Sequence, residues 1–410
     1  WEETALLACG MTQNPAAFVA GLADTNLVLA ARCALELAAT GRAGQIALGP
    51  LQHRLLERSR DPNCDLRARI AAARALGELG DPRFERRTGK FGDYLLPPRV
   101  NIPAGDYPLG SDEGIEADEA PAHRVPVAAF ALARFQVTNA EWKCFMEGGG
   151  YENVRWWQGE AAARWQRGDG VADGPKQQQR EVRQFLRSKP GHIDALLAER
   201  RITSEQARDW RKWYIDMGDE EFDVQLDDWY PSGIRREPAQ WNDPSFNHAA
   251  QPVVGICWHE ARAYCAWLSA QTGQFWRLPS EAEWEGAAAG LAARRFAWGN
   301  EFDTSRCNSF ESHVRGTTPV GVFPAGDTPD GLADLSGNVW EWTGSAYRPY
   351  RYVAADGREN SEDGELLRVV RGGSWVNYRD RARCTFRLRL HPGVRFSCLG
   401  FRVLCVSPIF

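Results

Sequence analysis

Between residues 252 and 375 the chain sets glycine and tryptophan into a series of short blocks, PVVGICWHEARAYCAWL, RLPSEAEWE, FAWGN, GLADLSGNVWEWT and RVVRGGSW, and this pattern limits the fold more than any other feature. Blocks so short and so often broken by Gly cannot build long strands or an uninterrupted bundle, so they predict an α+β domain of short strands and turns around one core. Seventeen Trp in 410 residues need a large buried volume, and all of them lie at or before Trp375, so they read as core anchors rather than ligand stackers. Local signals agree. VTNAEW places Thr138 as the cap of a helix starting near Glu141, and RLPSEAEWE sets Ser280 three residues ahead of Glu283 in a capping box. PVVGIC reads as a short buried strand leading into an amphipathic helix, and YLLPPRVNIPAGDYPLG as a strand pair.

The flanks have a different character. Residues 1–90 read as helix, with LAARCALELAATG (29–41) echoed by IAAARALGELG (70–80) at an offset of 41 residues, which suits a HEAT-like helical pair at the end of a longer solenoid. Residues 151–236 form a charged, mostly helical insertion into the domain that occupies 91–410. The chain starts at Trp1 and is expected to be part of something longer. Ten Cys are scattered without any CxxC pair, which predicts buried free thiols in a reducing, cytoplasmic setting, and no apolar stretch is long enough for a membrane span. The formal net charge of −5 hides an asymmetry, because residues 366–410 hold nine Arg against one Asp. That basic end has no Lys and interleaves its Arg with apolar residues, so no nucleic-acid partner is expected.

VTNAEW, PVVGICWHEARAYCAWL, RLPSEAEWE, FAWGN, GLADLSGNVWEWT, RVVRGGSW and LGFRVL, taken in order, resemble the formylglycine-generating enzyme (sulfatase-modifying factor) family. The resemblance implies a C-type lectin fold of that family's type. It also implies that an active enzyme would carry a copper-binding cysteine pair shortly after Gly372-Gly373-Ser374, yet WVNYRDRAR contains no Cys, and Cys384 and Cys398 fall elsewhere. Iron-dependent relatives use a His and carboxylate triad, for which His53 stands alone in residues 1–90. The expectation is therefore the fold without catalysis and without a cofactor. Structural calcium, as in some members, would draw on Asn308, Asn338 and Glu341.

The stretch WVNYRDRARCTFRLRLHPGVRFSCLGF, lying between RGGSW and GFRV, also resembles the variable region of proteins diversified by retroelements, which end on the same lectin fold. In such a system adenines of a template are mutagenised, mostly within Asn codons, and Met, Trp, Gln, Lys and Glu cannot arise. Those five types make up 70 of the 410 residues, yet none occurs in the 24 positions 376–399. About four would be expected, and chance alone leaves none about one time in a hundred. The resemblance nominates Val376, Asn377, Tyr378, Arg381, Phe386, Leu388, Leu390, His391, Val394, Phe396, Ser397 and Cys398 as variable, ligand-binding positions, with Arg383, Arg387, Arg389, Pro392 and Arg395 as framework.

Pattern alone favours burying Phe386, Leu388 and Leu390 and leaving Arg387 and Arg389 in water. The resemblance implies the reverse, with the Arg tied into the domain and Phe386, Leu388, Leu390 and Phe396 standing on the surface. The function so implied is a non-catalytic, receptor-like protein that presents a hypervariable patch to a variable ligand, a protein surface by preference. Its helical N-terminus would link to an upstream signalling domain of the NACHT kind. A divergent metal-dependent oxidase and a structural assembly module stay open as alternatives.

Overall fold

The computed structural model describes residues 1–406 except 43, 45, 361, 363 and 365. Five helices come first: α1 (Glu2–Met11), α2 (Pro15–Thr25), α3 (Leu27–Ala39), α4 (Leu48–Arg60) and α5 (Leu66–Leu79). Asn14, Asn26 and Asp65 cap α2, α3 and α5 by accepting first-turn amides. The two echoing segments fall in α3 and α5, which pack on each other over a core of Cys33, Leu37, Leu55 and Leu76. These helices are seated on the rest of the chain. Arg69 donates to the Val322 carbonyl at 2.7 Å, Arg60 reaches Asp327 at 3.1 Å, and Gly77 lies so close to Ala250 that a Cβ there would sit 2.7 Å from its backbone nitrogen.

Next come the hairpin β1 (Glu85–Gly89) and β2 (Gly92–Leu96), then β3 (Arg99–Ile102), the hairpin β4 (Gly105–Leu109) and β5 (His123–Val127), and β6 (Phe130–Ala133). Helix α6 (Asn139–Glu147) starts at the predicted cap, where Thr138 and Glu141 form a capping box. The Glu141 carboxylate accepts from the Thr138 amide at 2.7 Å and its hydroxyl at 2.8 Å, has no cation beside it, and is pushed by burial up to about 8. Helix α7 (Glu160–Arg167) packs Ala162 and Trp165 into the main core, and four helices then form a layer with a core of its own, built on Leu186, Leu196, Tyr214, Phe222 and Leu226: α8 (Asp173–Ser188), α9 (His192–Ala198), α10 (Ser204–Trp210) and α11 (Asp219–Trp229).

PVVGIC departs from expectation. It is buried but pairs into no sheet, because Gly255 turns the backbone at φ +70° and its amides serve loops, Val253 donating to Val137 and Gly255 to the Phe396 carbonyl. Helix α12 (Trp258–Thr272), β7 (Phe275–Arg277) and α13 (Glu281–Ala289) follow, the last with the predicted Ser280–Glu283 box. The chain ends in β8 (Trp340–Ala346), β9 (Arg368–Arg371), β10 (Leu388–Leu390), β11 (Leu399–Phe401) and β12 (Leu404–Val406). Two four-stranded sheets result, ordered β3-β6-β12-β7 and β10-β9-β8-β11, with β8 and β11 parallel and the other pairs antiparallel. The predicted Trp anchors lie in the core: Trp142, Trp258, Trp267, Trp276, Trp284 and Trp342 are fully buried, and Trp142 stacks on Tyr264 at 5.6 Å.

Carboxylates brought in by distant elements hold the last forty residues. Glu281 accepts two bonds from Arg387 at 2.6 and 2.9 Å, and Arg371 lies 3.4 Å away, with all three side chains buried. Arg371 also contacts Glu285 and donates to the carbonyls of Cys384, Thr385 and Phe386, so one side chain sets the path of the backbone leading into β10. Arg383 makes two 2.6 Å bonds to Glu119, Arg395 meets Glu260 at 3.0 Å, and Arg402 grips Glu341 at 2.6 and 2.7 Å. Burial raises Glu281, but Arg387 and Arg371 more than offset it and hold this carboxyl below its ordinary range.

Removing one partner of such a buried pair strands the other charge, so Arg387→Leu should lower unfolding stability by about 3–5 kcal/mol. Arg387→Leu with Glu281→Leu should recover part of that loss in urea melts, whereas an exposed pair would show neither effect. Glu141 should work in the opposite sense to Glu281. Its folded-state pKa lies above the unfolded one, so it costs nothing in acid and destabilises progressively as pH rises from the ordinary carboxyl range towards 8. Glu141→Gln and the parent chain should melt alike near pH 4, and at pH 8 the variant should be more stable by about 1–3 kcal/mol.

Candidate functional site

The segment between Gly372 and Leu399 leaves the sheet through two glycines at φ +98° and +71°, and a Cβ on Gly373 would lie 2.7 Å from the Arg381 carbonyl oxygen. Only Gly fits that turn. Beyond it, residues 379–382 form a short 3-10 turn and Leu388–Leu390 join the sheet edge.

The twelve nominated positions divide in two. Val376, Asn377, Tyr378, Arg381, Leu388, His391, Phe396, Ser397 and Cys398 are half-buried, while Phe386, Leu390 and Val394 belong to the main core. The expected surface position of Phe386 and Leu390 is thus corrected, and Leu388 and Phe396 are only partly open because they lean on that core. Phe386 packs on Trp340 at 5.8 Å and is flanked by the guanidinium groups of Arg381 and Arg383. Among the framework positions Arg383, Arg387 and Pro392 are buried and Arg395 is half-buried on Glu260, whereas Arg389 is exposed, 3.8 Å from Asp118 and over the Tyr347 ring. Neither simple alternation holds, since the segment is sandwiched on both sides: carboxylates answer the Arg face, and core aromatics and the helical layer receive the apolar one.

That layer lies on the segment at both ends. Gln178 of α8 accepts the His391 amide at 3.1 Å, and Gln206 of α10 donates to the Val376 carbonyl at 3.4 Å. Both contacts use main-chain atoms and do not depend on the side chains at 376 and 391. One contact does depend on a side chain: Gly174, in the first turn of α8, leaves room for the His391 ring, where a Cβ would clash at 1.9 Å. The sequence reading missed the partners Glu119, Glu260 and Glu281. A signal existed for one, because Glu281 and Glu285 stand four apart on α13 and share a helix face.

The candidate metal ligands do not fit a metal. Both Glu341 oxygens are occupied, by Arg402, Gln136 at 2.9 Å and the Trp284 indole at 2.8 Å. Asn338 Oδ1 accepts from the Thr318 amide and from Asn308 Nδ2. These three residues therefore have no free oxygen set for calcium. Burial pushes the thiol of Cys384 up to about 12 and that of Cys398 up to about 11, and both stay protonated at neutral pH, unlike copper-binding thiolates. Among the described residues no group of three or more His, Cys, Asp or Glu could hold a metal ion, and no helix is long and apolar enough to cross a membrane.

The chain is 31% identical over 348 residues to a hercynine oxygenase of Mycolicibacterium smegmatis, covering 80% of this chain and 64% of that protein, so it spans under two thirds of that relative's length. It is 30% identical over 354 residues to the inactive C-alpha-formylglycine-generating enzyme 2 of Mus musculus, covering 80% of this chain and 90% of the relative. Among solved structures, Treponema denticola variable protein 1 aligns at 19% identity and a TM-score of 0.46 over 80% of this chain and all of that one. The family model for the sulfatase-modifying factor enzyme 1-like domain matches residues 90–406. With the two sheets, the Trp core and the Arg-pinned C-terminal segment falling within that span, the chain belongs to the sulfatase-modifying factor enzyme 1-like family.

Proposed function

We propose that this protein is a non-catalytic member of its family that binds a protein ligand through a face diversified by a retroelement, residues 376–399. One observation carries the reading: the window that lacks five residue types is held in place by arginines that end on buried carboxylates. Arg383, Arg387 and Arg395, the positions read as framework, each end on a buried carboxylate. A segment so held can change its remaining side chains without losing its path. The ligand would meet the nine half-buried positions, Val376, Asn377, Tyr378, Arg381, Leu388, His391, Phe396, Ser397 and Cys398, and Phe386, Leu390 and Val394 would tune their packing from below.

In this reading residues 1–90 are a separate helical module that couples ligand binding to a signalling partner in the cytoplasm. The insertion at 151–236 frames the ligand face. Descent shared with oxygenases is the argument for an enzyme; against it stand WVNYRDRAR, which holds no cysteine pair after Gly372-Gly373-Ser374, and the Glu341 carboxylate, already taken by Arg402, Gln136 and Trp284.

The genomic neighbourhood tests the reading directly. A reverse transcriptase beside a near-copy of codons 370–405 that differs only at adenines is the expected finding, and differences spread over all four bases, or no copy, would overturn it. Supplied with copper or iron, the purified chain should consume no oxygen above buffer on a cysteine peptide; stoichiometric metal with turnover would restore the oxidase.

A further inference from the structure

Nine arginines lie between Arg368 and Arg402, and their partners sort them. Arg371, Arg383, Arg387, Arg389, Arg395 and Arg402 each have a carboxylate within 4 Å, and Arg368 lies over the Trp258 ring at 4.0 Å and donates to the carbonyls of Gly344 and Asn360. Arg379 and Arg381 stand apart. Among the described residues neither guanidinium has a carboxylate within 4.0 Å, although Arg381 is half-buried. Its described contacts are a ring and another cation: Phe386 at 5.4 Å and Arg201, whose own charge is already matched by Glu116 and Glu199. Burial and then Arg201 push Arg381 down to about 10.

The neighbouring loop adds to the same face. Phe310 donates its amide to the Asn377 carbonyl at 2.9 Å, its ring meets Tyr378 edge-on at 4.8 Å, and the exposed Arg315 lies over it at 4.0 Å, again without a carboxylate. Arg379 is exposed, with its guanidinium over Phe302 at 5.9 Å and its amide on the Glu311 carboxylate at 3.0 Å, so Arg379, Tyr378, Phe310 and Arg315 are neighbours and Arg381 follows two residues on. A partly desolvated cation lacking a counter-charge, as Arg381 is, carries a cost that this chain removes for Arg371, Arg383, Arg387, Arg395 and Arg402 nearby. We propose that Arg379 and Arg381, with Arg315 at the rim and Tyr378 and Phe310 beside them, form a subsite for a carboxylate side chain of the protein ligand bound by this variant.

The proposal rests on reading 376–399 as the ligand face. An acidic protein segment fits better than a nucleic acid. The cations are few, Glu311 and Asp380 lie beside them in the same turns, and useful phosphate binding takes roughly six to ten such contacts. A planar guanidinium beside a ring suits one or two carboxylates next to an apolar side chain.

Fluorescence anisotropy with the whole chain tests it, using a short labelled glutamate peptide with one central tyrosine, the same peptide with glutamine for glutamate, and an oligothymidylate of equal charge. The glutamate peptide should bind and the glutamine peptide should not, rising salt should weaken binding, and Arg379→Ala with Arg381→Ala should weaken it about tenfold or more. Circular dichroism and Tm of that double variant should match the parent, because neither side chain holds the frame. Arg389→Ala, which removes an exposed but paired cation, should leave binding unchanged. Equal binding of the two peptides, no binding of the glutamate peptide, no effect of the double variant, or tighter binding of the oligothymidylate lost in the same variant would each overturn the proposal. If the adenine-only genomic copy is present while the glutamate peptide fails to bind, the ligand chemistry falls and the diversified face stands; if the copy is absent, the reading beneath falls first.

Discussion

The pairing of Arg387 and Arg371 with Glu281 and Glu285 is the contact on which the C-terminal half of this domain depends. All four side chains are buried, and they tie α13, the end of β9 and the backbone from Cys384 to Phe386 into one charged knot inside an otherwise aromatic core. Isolated charges at this depth would be prohibitive, so the knot holds only while every member is in place. That all-or-none character fixes the path of the segment. Glu119, Glu260 and Glu341 repeat the device for Arg383, Arg395 and Arg402, each carboxylate arriving from a different part of the chain.

The helical layer gives the same segment its outer boundary. Its core is separate from the main one, and it touches the segment through the His391 amide and the Val376 carbonyl, groups that every sequence possesses. Gly174 marks a place where the layer leaves room for a nominated side chain, that of His391, and Arg201 of the layer acts on a second, Arg381. The proposed ligand face is therefore bounded by the arginine-carboxylate frame on one side and the helical layer on the other. Within it, the arginines that lack carboxylates are informative because so many of their neighbours have them.

Much of the fold was legible from local chemistry. The caps at Thr138 and Ser280 formed as the hydroxyl-to-glutamate spacing required, since a capping box is closed by residues three apart. The Trp blocks marked the core because indoles of that size have few other places to go. PVVGIC is buried but is no strand: apolar run length reports burial, but sheet pairing depends on neighbours, and its amides are taken by the carbonyls of Val137 and Phe396.

For the candidate site, the alternation of Arg with apolar residues from Phe386 to Leu390 showed that two faces exist and which residue types they carry. It did not show which face is inside. Periodicity is a property of one element, whereas burial depends on what distant elements place opposite it: Trp340 against Phe386, Glu281 against Arg387, α8 and α10 against both ends. The sequence by itself determined the family, the helix starts, the aromatic anchors and a compositional gap at 376–399. Only the tertiary structure decided that both faces are covered, that six arginines are answered by carboxylates and that Arg379 and Arg381 are not, because a buried charge is permitted by its partner and the partner comes from another part of the chain.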